Sequence, residues 1–313
     1  MHPAFSVIVF TVASGAGFGL AGWLGAMSAL GLLSPTGWFG MASLGMACAL
    51  AAGGLVSSTF HLGRPERAWR AFSQWRTSWL SREGVAAVAF FPVAGLCALG
   101  WIVAGETDGP WRLAAVALLV MAVATVVCTA MIYASLKPVP QWRNPWVPWV
   151  YLALAAASGG LLLALLAAAW RIAPWTSWAA GAFVLAAWMA KAACWRSIDR
   201  ARPSATIQSA TGLGRYGTVR ALDPPHTQAN YLQREMGFRV ARKHAAKLRL
   251  AVHALAFAVP LILTVAAAWS GPWAALPLAA AAACMAAGLL VERWLFFAQA
   301  THVVTLYYGR AAV

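Results

Sequence analysis

The sequence predicts an all-α fold: one integral membrane domain over residues 1–313, a polytopic bundle of eight transmembrane helices with an interfacial helix in the connection between the second and third. Three observations carry this expectation. Of the 313 residues, 62% are hydrophobic and 10% charged, where a soluble domain carries about 25% charged residues, so lipid is the solvent. Eight segments reach the roughly 20 apolar residues that a helix needs to cross the hydrocarbon. The basic residues gather in alternate connections between those segments.

The spans fall at roughly 5–33, 38–60, 84–105, 112–136, 146–170, 175–194, 248–269 and 274–298. The first lacks a basic n-region and its apolar run is too long for a signal peptide, so it reads as a retained span. Glu292 and Arg293 interrupt the eighth near its end. Connection 2–3 holds Arg64, Arg67, Arg70, Arg76 and Arg82, connection 4–5 holds Lys137 and Arg143, and connection 6–7 is richer still. The connections of the opposite face offer Arg112 and Arg171. That asymmetry predicts a multi-pass protein with both termini and all three basic connections in the cytoplasm; the membrane is read as a bacterial cytoplasmic (inner) membrane. The 195–247 segment is a long basic cytoplasmic connection within the one domain.

The same placement excludes several functions. A net charge of +15 suits nucleic acid only when it covers a solvated face, and here it sits in loops, so no nucleic-acid partner is expected. Cys48, Cys97, Cys128, Cys194 and Cys284 all lie in apolar segments without a Cys-x-x-Cys pair, so the protein should hold no metal or iron–sulfur cluster of its own. Gly212-Leu213-Gly214 has neither a preceding strand nor a following Lys-Ser/Thr and reads as a turn, not a phosphate loop. No repeat of the kind that builds inverted-repeat carriers is apparent.

The most informative stretch is "FHLGRPERAWRAFSQWRTSWLSREG", residues 60–84. Ala68, Phe72, Trp75 and Trp79 recur at helical spacing while Arg67, Arg70, Gln74 and Arg76 lie outside their arc. Such a segment lies along a membrane surface. Anchoring alone does not explain its ends: His61 closes the second span and Glu83 opens the third. Titratable groups at the edge of hydrocarbon are costly and therefore more often functional. An imidazole, which titrates near pH ~6.5, can hydrogen-bond a quinone oxygen and exchange its proton, and a carboxylate beside it can carry that proton to or from water. Capping the second helix is the competing role for His61.

"HLGRPERA" followed by "SREG" resembles the DmsC family, the membrane-anchor subunits of dimethyl sulfoxide reductase and related molybdenum enzymes, as do "HPAFSVIVFTVASGAG" and "ERWLFFAQATHVVTLYYG". The resemblance implies an anchor for a molybdopterin catalytic subunit and a four-cluster iron–sulfur subunit, both clusters and molybdopterin residing in those partners. It implies a quinone, ubiquinone or menaquinone, handled by His61 and Glu83. The loop "SATGLGRYG" with "DPPHTQANYLQREMGF" is similar to a branch of sulfite-oxidising complexes, which points to sulfite oxidation with quinone reduction. Quinol oxidation for a dimethyl sulfoxide reductase-type enzyme is the alternative.

Arg64 could polarise a quinone carbonyl with its fixed donors. Arg67, Arg70 and Arg76, with Arg242 and Lys243 of connection 6–7, form the expected landing surface for the iron–sulfur partner, the alternative being simple topogenic charge. Ser14 and Gly15 in "TVASGAGFG" suit close helix packing or leave room for a flat quinone ring. His253 reads as a hydrogen-bonded bundle histidine, and no haem is expected because no matched histidine pair is evident. Glu292 and Arg293, about 100° apart on a helix, are not expected to be a simple mutual pair. A purely structural anchor and a transporter remain the competing classes.

Overall fold

The computed structural model describes residues 4–220, 222–223, 244–308 and 310–313. Among them, eight helices are long and apolar enough to cross a membrane. They are α1 (Phe5–Ala29), α2 (Gly37–Thr59), α3 (Trp79–Ala104), α4 (Pro110–Ala134), α5 (Trp146–Ala169), α6 (Thr176–Arg200), α7 (Ala245–Trp269) and α8 (Ala275–Ala298). The described residues contain no β-strand; Thr206 and Ala312 form an isolated bridge.

Hydropathy marks where lipid ends, which is not where a helix ends. α6 runs on to Arg200, six residues past the apolar stretch, because its last turn is solvated and tied to α7 by the Asp199–Arg249 ion pair (2.7 Å). α3 begins at Trp79, after an extended Ser78 whose hydroxyl caps the Ser81 amide at 3.5 Å. Glu83 therefore lies within the second turn of α3 instead of at its opening, and is 5% exposed. Gly212 is a left-handed residue ending the short helix Ile207–Thr211, so the glycine pair forms the expected turn.

α1 is the central helix, packing on α2, α4, α5 and α8. Its small residues explain how it can touch so many neighbours, since lipid gives helices no hydrophobic reason to associate and close backbone contact must supply the attraction. Gly19 and Gly159 face one another so closely that a Cβ on either would enter the other helix's backbone, and Gly17 and Gly54 hold α1 and α2 together in the same way. One apolar core fills the space among α1 to α5, and a second lies among α5 to α8, with α5 shared.

Both described ends of the chain and the basic connections meet at one end of the bundle. Val303 donates to Pro138 O at 3.0 Å and Thr301 donates to Gln141 Oε1 at 3.0 Å, joining the C-terminal tail to the 4–5 connection. Ser204 and Ile207 donate to Val313 O and Ala311 O, at 2.7 and 3.0 Å, joining it to the start of the 6–7 connection. Ala4 borders the same cavity as His61 and Trp142.

Gly159→Val is expected to cost at least the ~1–3 kcal/mol typical of overpacking, because the obstacle is backbone. Gly45→Ala, where a Cβ meets nothing within 4 Å, should leave stability unchanged. Thermal unfolding in detergent of the two variants beside the native protein checks this.

Candidate functional site

Between α2 and α3 the chain forms a strap whose core is a 3₁₀ helix, Pro65–Gln74, not an α-helix. At three residues per turn, side chains three apart stack in a column, which aligns Trp69, Phe72 and the following Trp75, all exposed. Three guanidinium groups lie over indole rings: Arg70 over Trp69 (5.6 Å), Arg76 over Trp75 (5.4 Å) and Arg82 over Trp79 (4.3 Å). The interleaving of arginine and tryptophan is thus partly a set of cation–π pairs. α3 fixes the strap in place. Ser81 Oγ donates to Ala71 O, and Arg82 donates to the carbonyls of Trp75 (3.0 Å) and Arg76 (2.6 Å). Phe72 lies against Gly84, where a Cβ would come within 3.1 Å of the ring.

Beneath the strap is a cavity of about 700 Å³, within the usual ~300–1,000 Å³ range for small-molecule sites. His61, Arg64, Arg67 and Glu83 all border it, so residues from the end of α2, the strap and α3 converge on one space. Val7, Phe10, Leu55 and Ile132 give it apolar walls, and Tyr133, Trp142 and Phe297 close its inner side. Those rings belong to a larger aromatic cluster with Tyr151 and Phe296, centroids 5.2 to 6.0 Å apart. Trp142 Nε1 donates to Phe296 O at 2.9 Å and locks the 4–5 connection onto α8.

Glu83 reaches the Thr129 hydroxyl of α4 at 2.5 Å, and the same hydroxyl is 3.0 Å from Thr125 O. A hydroxyl has one proton. It donates to Glu83 when Glu83 is a carboxylate; when Glu83 is a carboxylic acid, Glu83 can donate to Thr129 Oγ while Thr129 donates to Thr125 O. Both charge states of Glu83 are therefore satisfied by one geometry.

The structure does not bring every candidate to this cavity. Ser14 and Gly15 border a separate space of about 30 Å³ deeper in the bundle, with Thr129, Tyr151 and Arg293, and Ser14 donates to Phe10 O at 2.6 Å. Arg70 and Arg76 face outward on the strap, whereas Arg242 and Lys243 lie outside the described residues. His253 accepts a hydrogen bond from Trp188 Nε1 at 2.7 Å, as expected of a bundle histidine. His302 accepts from the Val304 amide at 3.0 Å, and burial lowers its pKa below the ordinary histidine value.

Glu292 and Arg293 correct the expectation drawn from helical angles. They do pair with each other, and Glu292 also pairs with Lys191 of α6. Side-chain length overrides the angular offset, because the flexible guanidinium arm can fold back along the helix. All three side chains are at most 4% exposed, and the Arg293 guanidinium lies over the rings of Tyr151 (4.3 Å) and Phe296 (4.8 Å). Lys191 carried a signal in the sequence, a lone ammonium within an apolar span. Thr129, Tyr133, Tyr151 and Trp142 carried none, being ordinary residues of apolar or interfacial segments.

The fold and site define a polytopic α-helical membrane protein with a polar-lipped, apolar-walled cavity at one end of its bundle. The chain belongs to the DMSO reductase anchor subunit (DmsC) family, whose model matches residues 1–309. It is 34% identical to the C component of the sulfite dehydrogenase of Allochromatium vinosum over an alignment of 334 positions, gaps included, that spans 100% of both proteins. It is 33% identical to the C component of the anaerobic dimethyl sulfoxide reductase of Escherichia coli over 113 residues, 35% of this protein and 38% of that one. The anaerobic dimethyl sulfoxide reductase component YnfH of the same organism is 32% identical over 125 residues, 38% of this protein and 42% of its own length. The protein is thus a multi-pass membrane anchor of a dimethyl sulfoxide reductase-like complex.

Glu292→Gln leaves two buried cations without a counter-ion and is expected to cost about 3–5 kcal/mol. Lys191→Met leaves the neutral Glu292–Arg293 pair and should cost less. Comparing their unfolding temperatures in detergent tests whether Glu292 is the shared counter-ion of both cations.

Proposed function

We propose that this anchor is the quinone-reactive subunit of a heterotrimeric molybdopterin and iron–sulfur oxidoreductase, exchanging electrons between the membrane quinone pool and a four-cluster iron–sulfur partner. The observation that carries the reading is the convergence of His61, Arg64 and Glu83 on one cavity of about 700 Å³. Its size, apolar walls and polar rim suit a flat ring with an oxygen at each end. Substrate catalysis then belongs to the molybdopterin subunit.

A bound quinone supplies a two-electron, two-proton couple. His61 offers an imidazole N–H to one oxygen, and Arg64 offers guanidinium donors that hold developing negative charge. Glu83 moves the proton, since Thr129 accommodates it as acid and as carboxylate. Tyr133, Trp142 and Phe297 exclude water from the inner side. The exposed strap, with Arg67, Arg70 and Arg76, is the landing surface that brings the partner's nearest cluster to the cavity mouth. Basic connections and both chain ends on one face support a cytoplasmic orientation in a bacterial inner membrane.

The full-length likeness to a protein named as a sulfite dehydrogenase component supports sulfite oxidation with quinone reduction. Relatives named as dimethyl sulfoxide reductase components favour the opposite direction, quinol oxidation, but their match spans little over a third of this protein.

The decisive experiment compares native protein, His61→Ala and Glu83→Gln in membranes containing the assembled complex. Quinone-linked turnover and quinone-analogue binding are both measured, with an artificial electron carrier reporting on the partner subunits. Quinone-linked turnover should fall by at least about 10²-fold, the low end for a positioned proton-transfer group, while carrier-linked activity and assembly persist. Unchanged quinone turnover in both variants would mean that the strap is a docking element and this cavity takes no part in electron transfer.

A further inference from the structure

Thr129 stands between two spaces. It borders the chamber of about 30 Å³ that Ser14, Gly15, Tyr151 and Arg293 also border, and it bonds Glu83, which in turn borders the large cavity. That volume is enough for water, which needs roughly 10–15 Å³ and two to four polar partners. The chamber's wall supplies them in complementary kinds. Thr11, Ser14 and Ser158 spend their hydroxyl protons on carbonyls of their own helices, at 3.0, 2.6 and 2.8 Å, which leaves their oxygens as acceptors. Arg293 Nη2 and Tyr151 Oη supply donors. Neither closes a hydrogen bond of good geometry within the protein, although Arg293 is 3% and Tyr151 7% exposed.

The charge around the chamber is also unbalanced. Lys191 and Arg293 bring two positive charges to the one carboxylate of Glu292, so the cluster carries a surplus of one when all three are ionised. Tyr151 lies within electrostatic reach of Glu83 as well as of Glu292 and Arg293, so its hydroxyl stands between the cluster and a second buried carboxylate. Glu83 is faced by His61, Arg64 and Arg67 across the large cavity, Thr129, Tyr133 and Cys128 on α4, Tyr151 on α5 and Arg82 beside it on α3, while Arg293 of α8 lies beyond Thr129 on the chamber's wall.

We propose that the chamber holds ordered water linking Arg293 and Tyr151 to Thr129, so that the surplus charge of the Lys191–Glu292–Arg293 cluster stabilises Glu83 as a carboxylate after its proton has gone to the quinone site. Arg293 and Tyr151 are positioning residues here: they touch no quinone and act through water and Thr129. The inference rests on the quinone-site reading above for its purpose, but its physical content is the charge state of Glu83.

Infrared titration of the purified full-length protein in detergent tests it, with the Glu83 carboxylic acid band identified by its loss in Glu83→Gln. Tyr151→Phe removes one hydroxyl. Gly15→Ala places a methyl where a Cβ meets nothing within 4 Å, taking up chamber volume without a clash. In both, the acid band should persist to higher pH by about one unit, the scale on which a nearby charge acts. An experimental density map at water-resolving quality should show water between Thr129 and Arg293. An unchanged titration in both variants, or a dry chamber, overturns the proposal. Failure of the quinone reading is separately visible: Glu83→Gln would then leave quinone-linked turnover intact whatever the infrared titration showed.

Discussion

A charged or polar group surrounded by hydrocarbon cannot turn to bulk water, so such groups in this bundle are drawn to partners inside it. Much of the architecture follows from that constraint. Serine and threonine hydroxyls within the spans return to carbonyls one turn back. Lys191, Glu292 and Arg293 are gathered into one cluster even though they come from two helices. Glu83, inside α3, has Thr129 on α4. Where polar groups face the aqueous edge instead, as on the strap, they spread out and stack on tryptophan.

The second organising fact is the closeness of α1 to its neighbours. Glycines at 17 and 19, meeting Ala47 and Ala51 on α2 and Gly159 on α5, remove the side chains that would hold the helices apart. A central helix so tightly held provides a fixed wall for both spaces at the candidate site: Val7 and Phe10 border the large cavity, Ser14 and Gly15 the small chamber. The strap is held by three contacts to α3, all from residues within five positions of Glu83. The roof of the cavity and its carboxylate are therefore set by the same turn and a half of helix.

The proposed quinone site fits this frame because it sits where the two regimes meet. Its walls belong to the lipid-facing bundle and its rim to the solvated strap, so a ring can enter from hydrocarbon while protons and a partner arrive from water. A midplane transporter site would instead need interrupted helices paired across two halves. α3 ends in a π turn, Leu99–Ala104, and α7 contains one at His253–Ala258 that passes without a break into the α-helical turns from Val259.

Several things were determined by sequence alone: the eight spans, the clustering of basic connections, the family likeness, and the interest of His61 and Glu83. Each is written in local composition or in a contiguous motif, and the cost of exposing polar groups to lipid makes that local record strong. What only the tertiary structure decided is how distant residues meet. Thr129 is 46 positions from Glu83 and looks like any threonine in an apolar span until α4 packs on α3. Lys191 could be seen as anomalous but not as the partner of Glu292, and the angular argument against a Glu292–Arg293 pair failed because it followed the helix and ignored the reach of the side chains. Ser14 and Gly15 line a chamber apart from His61 because they lie a turn or more further along α1 than Val7 and Phe10, which border the His61 cavity.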